Sequence, residues 1–273
     1  MTSLRDKVIF ITGSSRGIGR EIALRCARDG AKVVITGKTA EAHAKLPGTI
    51  HSVAAEVVQA GGQALAIQLD VREEHSIQAA VVHAVQHFGG IDVLVNNASA
   101  ISMSNTPETP AKKLDLMWDV NMRATFLVSQ ACIPYLKQAE NPHILTLSPP
   151  LNLDAKWFAP HLAYSISKYG MSLCTLGMAR EFAAGGIAVN SLWPRTTIAT
   201  AAIEFNFPEI ILRASRKPAI VADAAYQILM RDSRSCTGQF FIDEEVLRET
   251  GVSDFGQYAV SHGMPLYNDL FIG

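Results

Sequence analysis

An alternation of two patterns constrains this chain more than any other feature. Short β-branched runs and longer stretches with apolar residues at helical spacing follow one another from Lys7 to Ile242. The strand candidates are Val8–Thr12, Lys32–Thr36, Ala64–Leu69, Val93–Val95, His143–Leu147, Ala188–Trp193 and Gln239–Ile242. Between them lie helical patterns such as Ile18–Arg28, Ser76–Phe88, Lys112–Leu136 and Tyr164–Ala183. Val8-Ile9-Phe10-Ile11 is apolar at every position, as expected of a strand buried on both faces. Strand–helix–strand repetition builds right-handed βαβ units. The chain is therefore expected to fold as a doubly wound α/β domain: a parallel sheet of about seven strands with helices on both faces.

No repeat, low-complexity tract or linker interrupts this order, so residues 1–273 are expected to form a single domain. Two stretches depart from it. Residues 195–217 hold an apolar helical segment, Ala199–Leu212, expected to be a substrate lid. Residues 244–273, with Gly251, Gly256, Gly263 and Pro265, are expected to be an irregular wrapping tail. A net charge of −1 gives no electrostatic footing for nucleic acid or an anionic membrane. No apolar run approaches the ~18 residues of a membrane span, so no membrane insertion is expected. Cys26, Cys132, Cys174 and Cys236 lie far apart without a C-x-x-C pair, which suits reduced thiols better than disulfides or zinc. The apolar run after Lys7 is too short for a signal peptide, and Phe271-Ile272-Gly273 is not a peroxisomal address, so a cytoplasmic location is expected. His83 and His87 are four apart, but Ala84 stands where H-E-x-x-H needs glutamate. They read as a solvated helix face, and no metal site is expected.

The first strand runs into Thr12-Gly13-Ser14-Ser15-Arg16-Gly17-Ile18-Gly19 and then at once into a helical pattern. Glycines let backbone approach a pyrophosphate, and unpaired N–H groups at the helix start point at it. On the first strand of a βαβ series this is the nucleotide-binding turn of a Rossmann-type fold. Gly13-Ser14-Ser15-Arg16-Gly17 also fits the G-x-S-x-G nucleophile elbow, but a hydrolase sheet places several strands before its nucleophile and only about a dozen residues precede Ser15 here. The second strand ends in Gly37-Lys38 with no carboxylate to hold a ribose 2′-hydroxyl, and Arg16 adds a second cation on the same side. The two cations favour the 2′-phosphate of NADP over the reading that Lys38 and Arg16 are merely exposed, with NAD as the alternative cofactor.

Tyr164-Ser165-Ile166-Ser167-Lys168 sets a phenol and an ammonium four apart, hence on one face of a helix. A free tyrosine has a pKa of about 10; a neighbouring ammonium and an oxidised nicotinamide would lower it. Tyr164 would then exchange a proton with a carbonyl or alcohol oxygen while hydride moves to or from the nicotinamide.

Taken in order, Thr12-Gly13-x-x-x-Gly17-Ile18-Gly19, Asp70-Val71, Asn96-Asn97-Ala98-Ser99, Asn121, Tyr164-x-x-x-Lys168 and Asn190-x-x-x-Pro194 resemble the short-chain dehydrogenase/reductase family from Lys7 to Ile242. The resemblance implies that Gly13, Ser15, Arg16, Gly17, Ile18, Gly19 and Lys38 bind the phosphates and ribose of the cofactor. Asp70 and Val71 would hold its adenine, and Asn96, Asn97 and Ala98 would line the adenosine ribose and stabilise the sheet. Pro194, Thr196 and Thr197 would complete the cofactor site, and Lys168 would bind the nicotinamide ribose. Asn121 would hold a water linking Lys168 to solvent. It also implies a homodimer or homotetramer built through the helices carrying Asn121 and Tyr164.

Two departures bear on the reaction. The family carries a serine thirteen residues before its tyrosine to hold the substrate oxygen, but that position is Leu151; the nearest serine is Ser148, followed by Pro149-Pro150. Either Ser148 serves from upstream, or the oxygen-binding group is missing or replaced, with Asn152 a candidate. Arg195 follows Pro194 where glycine is common, and would bind an anionic substrate or face solvent. Trp157 and Phe158 either wall the pocket or pack a loop, while Met171 and Met178 read as core or subunit interface. The leading expectation is an NADP-dependent oxidoreductase interconverting an alcohol and a ketone or aldehyde. Tyr164, Lys168, Asn121 and Ser148 are its candidate catalytic residues, and Phe205 and Phe207 in the lid suggest an apolar or lipid-like substrate. The alternative is a non-catalytic NADP-binding scaffold that kept the fold.

Overall fold

The structure is a computed structural model that describes residues 3–42 and 46–273. Its strands are β1 (Val8–Ile11), β2 (Lys32–Gly37), β3 (Gln63–Gln68), β4 (Val93–Asn96), β5 (His143–Thr146), β6 (Ala188–Trp193) and β7 (Phe240–Ile242). They pair in the order β3-β2-β1-β4-β5-β6-β7, parallel throughout. All-apolar strands feed two cores by alternation. Ile9, Ile11, Val33, Ile35, Val93 and Val95 face one, while Val8, Phe10, Val34 and Leu94 face the other. Each such side chain contributes about 1.5–3 kcal/mol relative to exposure, so the alternation fixes which face each strand residue takes.

The first core lies under α1 (Gly17–Ala27), α2 (Ile50–Gln59), α9 (Ala219–Leu229) and α10 (Asp243–Glu249). The second lies under α3 (Glu74–Phe88), α5 (Ala124–Leu136) and α6 (Leu162–Phe182). A third, smaller cluster gathers Met117, Tyr164, Tyr169, Trp193, Ile242, Phe271 and Ile272 at the carboxyl ends of the central strands.

The helix that the alternation requires between β2 and β3 is α2, started by Thr49. The Thr49 side chain accepts from the Ser52 N–H and the Ser52 side chain from the Thr49 N–H, a reciprocal cap. The long pattern Lys112–Leu136 forms three successive helical pieces: α4 (Ala111–Met117), a π-helical turn (Trp118–Arg123) and α5. The insert splits into α7 (Ala201–Asn206) and α8 (Glu209–Arg213), because Pro208 between them has no N–H to continue a helix. The tail is not irregular from its start. Asp243, Glu244 and Glu245 in the first turn and Arg248 in the last suit the helix dipole and begin it as α10; beyond Glu249 it is irregular but for one short 3-10 turn, Gly256–Tyr258.

Strand order reverses between β1 and β4, with β2 beyond one and β5 beyond the other. The crevice outside the carboxyl ends of two such strands is where open α/β sheets bind ligands.

Candidate active site

The crevice is closed by one hydroxyl. Thr12, just past β1, accepts the N–H groups of both Asn97 and Ala98 at 3.0 Å, and the Asn97 amide donates to the Thr12 and Gly13 carbonyls at 2.9 Å. The turn is thus tied to the end of β4 with no room to spare. Gly13 has φ +66°, and a Cβ there would meet the Ala98 Cα at 2.9 Å. A Cβ on Gly19 would lie 2.5 Å from the Asn97 amide nitrogen. No side chain caps α1, which leaves its first-turn N–H groups for an anion. Gly13, Ser15, Arg16, Gly17 and Ile18 line a groove running to Lys38, Asp70 and Val71. A cradle that a Cβ would fill, ending on free helix N–H groups, fits a dinucleotide.

At the far end of the groove the two cations read from the sequence are already engaged by neighbours. Asp70, beyond β3, pairs with Lys38 at 3.0 Å and takes Arg72 bidentately, so two cations, Arg72 first, hold its carboxyl well below the usual range. Arg16 is anchored to Thr39 Oγ1 at 2.9 Å and to the Pro47 and Gly48 carbonyls. Arg16 and Lys38 both line the groove, beside an Asp70 carboxyl whose charge Arg72 also meets. Among the described residues no hydrogen bond joins Ser15 to a histidine; Ser15 lines the groove with the glycine turn. Asn96 is buried and donates to Ser129, away from the groove.

Tyr164 and Lys168 share the face of α6 that closes a second, largely apolar cavity beside Asn97, Trp193 and Pro194. Lys168 Nζ donates to the Leu147 carbonyl at 2.6 Å and lies 5.0 Å from the centre of the Trp193 ring. Burial lowers its pKa to about 7, opposed by the nearby Asp269 charge. Burial, and secondly Asp269, push the Tyr164 phenol well above its ordinary value. Lys168 does not contribute to this shift; the lowering expected from the sequence joins its charge to that of an oxidised nicotinamide. The two still stand together, and the phenol hydroxyl makes no hydrogen bond among the described residues.

Asn121 sits in the π turn, a geometry frequent at functional positions. Its carboxamide oxygen accepts the Ala100 N–H at 2.7 Å, and its amide donates to the Ala100 carbonyl and Ser167 Oγ. Its own carbonyl accepts from Thr125 Oγ1 at 2.7 Å, so Asn121 ties the loop after β4 to α6.

The structure does not bring Ser148 to the cavity. Its hydroxyl lies 2.8 Å from Ser191, which donates to Thr175, a buried chain between β5, β6 and α6. Asn152 does not replace it, since its side chain caps a local turn at Asp154. Pro194 and Thr197 line the cavity, whereas Thr196 is buried with its hydroxyl unpartnered. Arg195 pairs with Glu245 on the surface, away from the cavity lining. Trp157 packs on Phe271 of the tail and Phe158 on Tyr169 of α6, and neither lines the cavity. Met171 and Met178 are buried, Met171 with its sulfur 3.3 Å from Lys168 Nζ. His83 and His87 are exposed, and no cluster of metal ligands exists among the described residues.

The tail is what sequence reasoning missed. Tyr267, Asn268, Asp269 and Leu270 form one wall of the cavity that holds Tyr164 and Lys168. The segment is pinned by Asp269 N–H to the Arg195 carbonyl (3.1 Å) and Trp193 Nε1 to the Leu270 carbonyl (2.8 Å). Phe271, at φ +69°, is surrounded by the rings of Trp157, His161, Tyr164, Tyr169 and Trp193. A bulky residue stays in the left-handed region only where its surroundings over-determine it.

A switch-point crevice with a glycine cradle, opening on a tyrosine and a lysine one helical turn apart, defines a nucleotide-binding α/β fold of oxidoreductase type. The chain belongs to the short chain dehydrogenase family, whose model matches residues 7–207. It is 57% identical over 264 residues to hydroxysteroid dehydrogenase-like protein 2 of Bos taurus and 55% to that of Homo sapiens, in each case over 97% of this chain and 63% of the relative. The chain thus spans under two thirds of the length of these curated relatives. Among solved structures, a dehydrogenase from Xanthomonas campestris superimposes with a TM-score of 0.97 at 54% identity, over 99% of both chains. A metagenomic short-chain oxidoreductase in complex with NADP gives a TM-score of 0.73 at 25% identity, over 88% of this chain and 98% of that one.

Proposed function

We propose that this chain is an NADP(H)-dependent oxidoreductase that interconverts an alcohol and a ketone or aldehyde, with Tyr164 as general acid/base. One observation carries the reading: Tyr164 and Lys168 stand side by side in an apolar cavity whose wall, Ile18 and Asn97, is shared with the glycine cradle. Bound NADPH would supply the hydride. Tyr164 would give its proton to the carbonyl oxygen, or take one from an alcohol in the reverse direction. Its raised pKa without cofactor suits the donor role, and a phenolate would need positive charge brought beside it. Lys168 would hold a ribose hydroxyl and carry the replacement proton, its pKa near 7 placing it at the working pH. Asn121 would act by positioning, since its side chain is already hydrogen-bonded.

NADP is the proposed cofactor, because Arg16 and Lys38 at the groove end favour a 2′-phosphate; NAD remains the alternative there, as Asp70 lies beside Lys38. The relative solved with NADP supports the same choice. The cavity is walled by Leu147, Trp193, Ile198 and Ile203, and α7 with the following Phe207 borders it as the proposed lid, which favours an apolar or lipid-like substrate. Exposed Trp118, Phe126, Leu173 and Leu176 on the π turn, α5 and α6 offer a second copy an apolar face, in support of a homodimer or homotetramer. No helix among the described residues is long and apolar enough to cross a membrane, and the four free cysteines suit a reducing compartment such as the cytoplasm. One observation favours the scaffold alternative: the Ser148 hydroxyl is turned away from the cavity.

The deciding experiment is NADPH consumption against a panel of ketones and aldehydes, wild type beside Tyr164→Phe. The expected outcome is turnover that falls about a thousandfold in the variant with NADPH affinity unchanged. Tight NADPH binding with no turnover on any carbonyl would overturn the enzyme reading in favour of the scaffold.

A further inference from the structure

The cavity around Tyr164 has two charged lining residues, Lys168 and Asp269. They differ in how far their charge is met. Lys168 Nζ has the Leu147 carbonyl, the Met171 sulfur and the Trp193 ring. Asp269 Oδ1 accepts the N–H of its own neighbour Leu270 at 2.7 Å, whereas Oδ2 has no hydrogen-bond partner among the described residues. No ion pair joins the two side chains among those residues, although each feels the other's charge. Behind Asp269 stands another carboxyl, Asp243, held by the Arg195 and Glu244 N–H groups, which adds repulsion rather than relief.

Asp269 is not a stray residue on a loose end. Its N–H is bonded to Arg195, the residue before it pairs with Thr196 in an antiparallel bridge, and Phe271 two positions on is caged by five rings. The fold therefore carries a carboxyl, with one oxygen unspent, into a largely apolar cavity that also holds the reacting group. Such an oxygen is free to accept from a ligand in the cavity, and a ligand that fills the space without donating to it leaves it unpaired at a cost.

We propose that Asp269 is a substrate-recognition residue. It selects a carbonyl or alcohol compound that carries a further hydrogen-bond donor, a hydroxyl or an amine, near the reacting oxygen, and it rejects compounds with an anionic group there. This rests on the oxidoreductase reading of the same cavity. The donor satisfies Asp269 Oδ2 while the reacting oxygen meets Tyr164; burial and then the Asp243 charge raise the Asp269 pKa to about 7, so above that pH a substrate carboxylate in that place meets a like charge in a medium that screens poorly.

The test uses three compounds of one chain length, a methyl ketone, its hydroxymethyl ketone and the corresponding keto acid, with the full chain and NADPH. Wild type is expected to prefer the hydroxymethyl ketone over the methyl ketone by about tenfold or more in kcat/KM, and to use the keto acid worst. D269L should reduce the hydroxyl preference to near one. D269N keeps an acceptor for the Leu270 N–H and should raise kcat/KM for the keto acid by about tenfold. Retention of the hydroxyl preference in D269L, or a keto acid unmoved in D269N, overturns the proposal. If D269L does not fold, D269N with a wild-type melting profile decides alone. Binding of the same compounds to the NADPH complex, read by nicotinamide fluorescence, ranks them without turnover. A ranking that follows Asp269 while no compound is reduced sinks the oxidoreductase reading and keeps the assignment. Turnover with a ranking indifferent to Asp269 does the reverse.

Discussion

The two ends of the site are built in opposite ways. The cofactor crevice is made of backbone: Thr12 and Asn97 lock two neighbouring strand ends together, and glycines are required because nothing larger than hydrogen fits. The substrate wall is made of side chains carried from distant places, α6, the insert after β6 and the tail, and it is held by ring packing around Phe271. A nucleotide is the same molecule for every user, so a rigid backbone mould suits it. A substrate differs, and a wall made of exchangeable side chains can change without touching the mould.

The sharpest way to break this contrast is Phe271→Ala. Removing a buried ring from five neighbours should cost about 3–5 kcal/mol of stability by urea unfolding and raise KM for carbonyl compounds. NADPH affinity of the folded fraction should move less than about threefold. Equal losses at both ends would show that the halves are not separate. The reciprocal change is Gly13→Ala, which puts a Cβ at φ +66° against the Ala98 backbone. It should weaken NADPH binding by about thirtyfold, roughly 2 kcal/mol, in a fluorescence titration.

A third region, far from both ends, supplies a control. His143, at the opposite end of β5, is buried, and desolvation lowers its pKa from 6.5 to about 4. The unfolded chain therefore binds this proton more readily than the folded one. The stability it guards is complete above about pH 6.5 and is lost as the pH falls toward 4. Between about pH 7.5 and 5 this amounts to roughly 2 kcal/mol, and His143→Gln should flatten the urea-derived stability curve by that amount. The smallest effect is expected from Ser148→Ala. Its hydroxyl belongs to the buried Ser148–Ser191–Thr175 chain, so stability should fall by about 1 kcal/mol and turnover change less than threefold. A thousandfold loss of turnover would instead place Ser148 at the substrate.

The glycine turn and the tyrosine–lysine pair could be located from the chain itself. Gly13, Gly17 and Gly19 are contiguous with their strand and helix, and Tyr164 and Lys168 are one helical turn apart, so local spacing implies spatial neighbourhood. Even there, pairing across the sheet escaped: Asp70 reaches Lys38 only because β3 lies beside β2 in the stated register. Ser148 could be found but not aimed, since the direction of its side chain depends on Ser191 and Thr175, on two other elements.

Hydrophobic period, glycine placement and helical spacing act within a few residues. They were enough to set the seven strands, the order of the elements, the nucleotide turn and the tyrosine–lysine pair. Which side chains share a cavity is a property of long-range packing, in which no short window takes part. Packing alone brought Asp269 and Phe271 to Tyr164, satisfied Asn121 away from solvent and turned Ser148 aside.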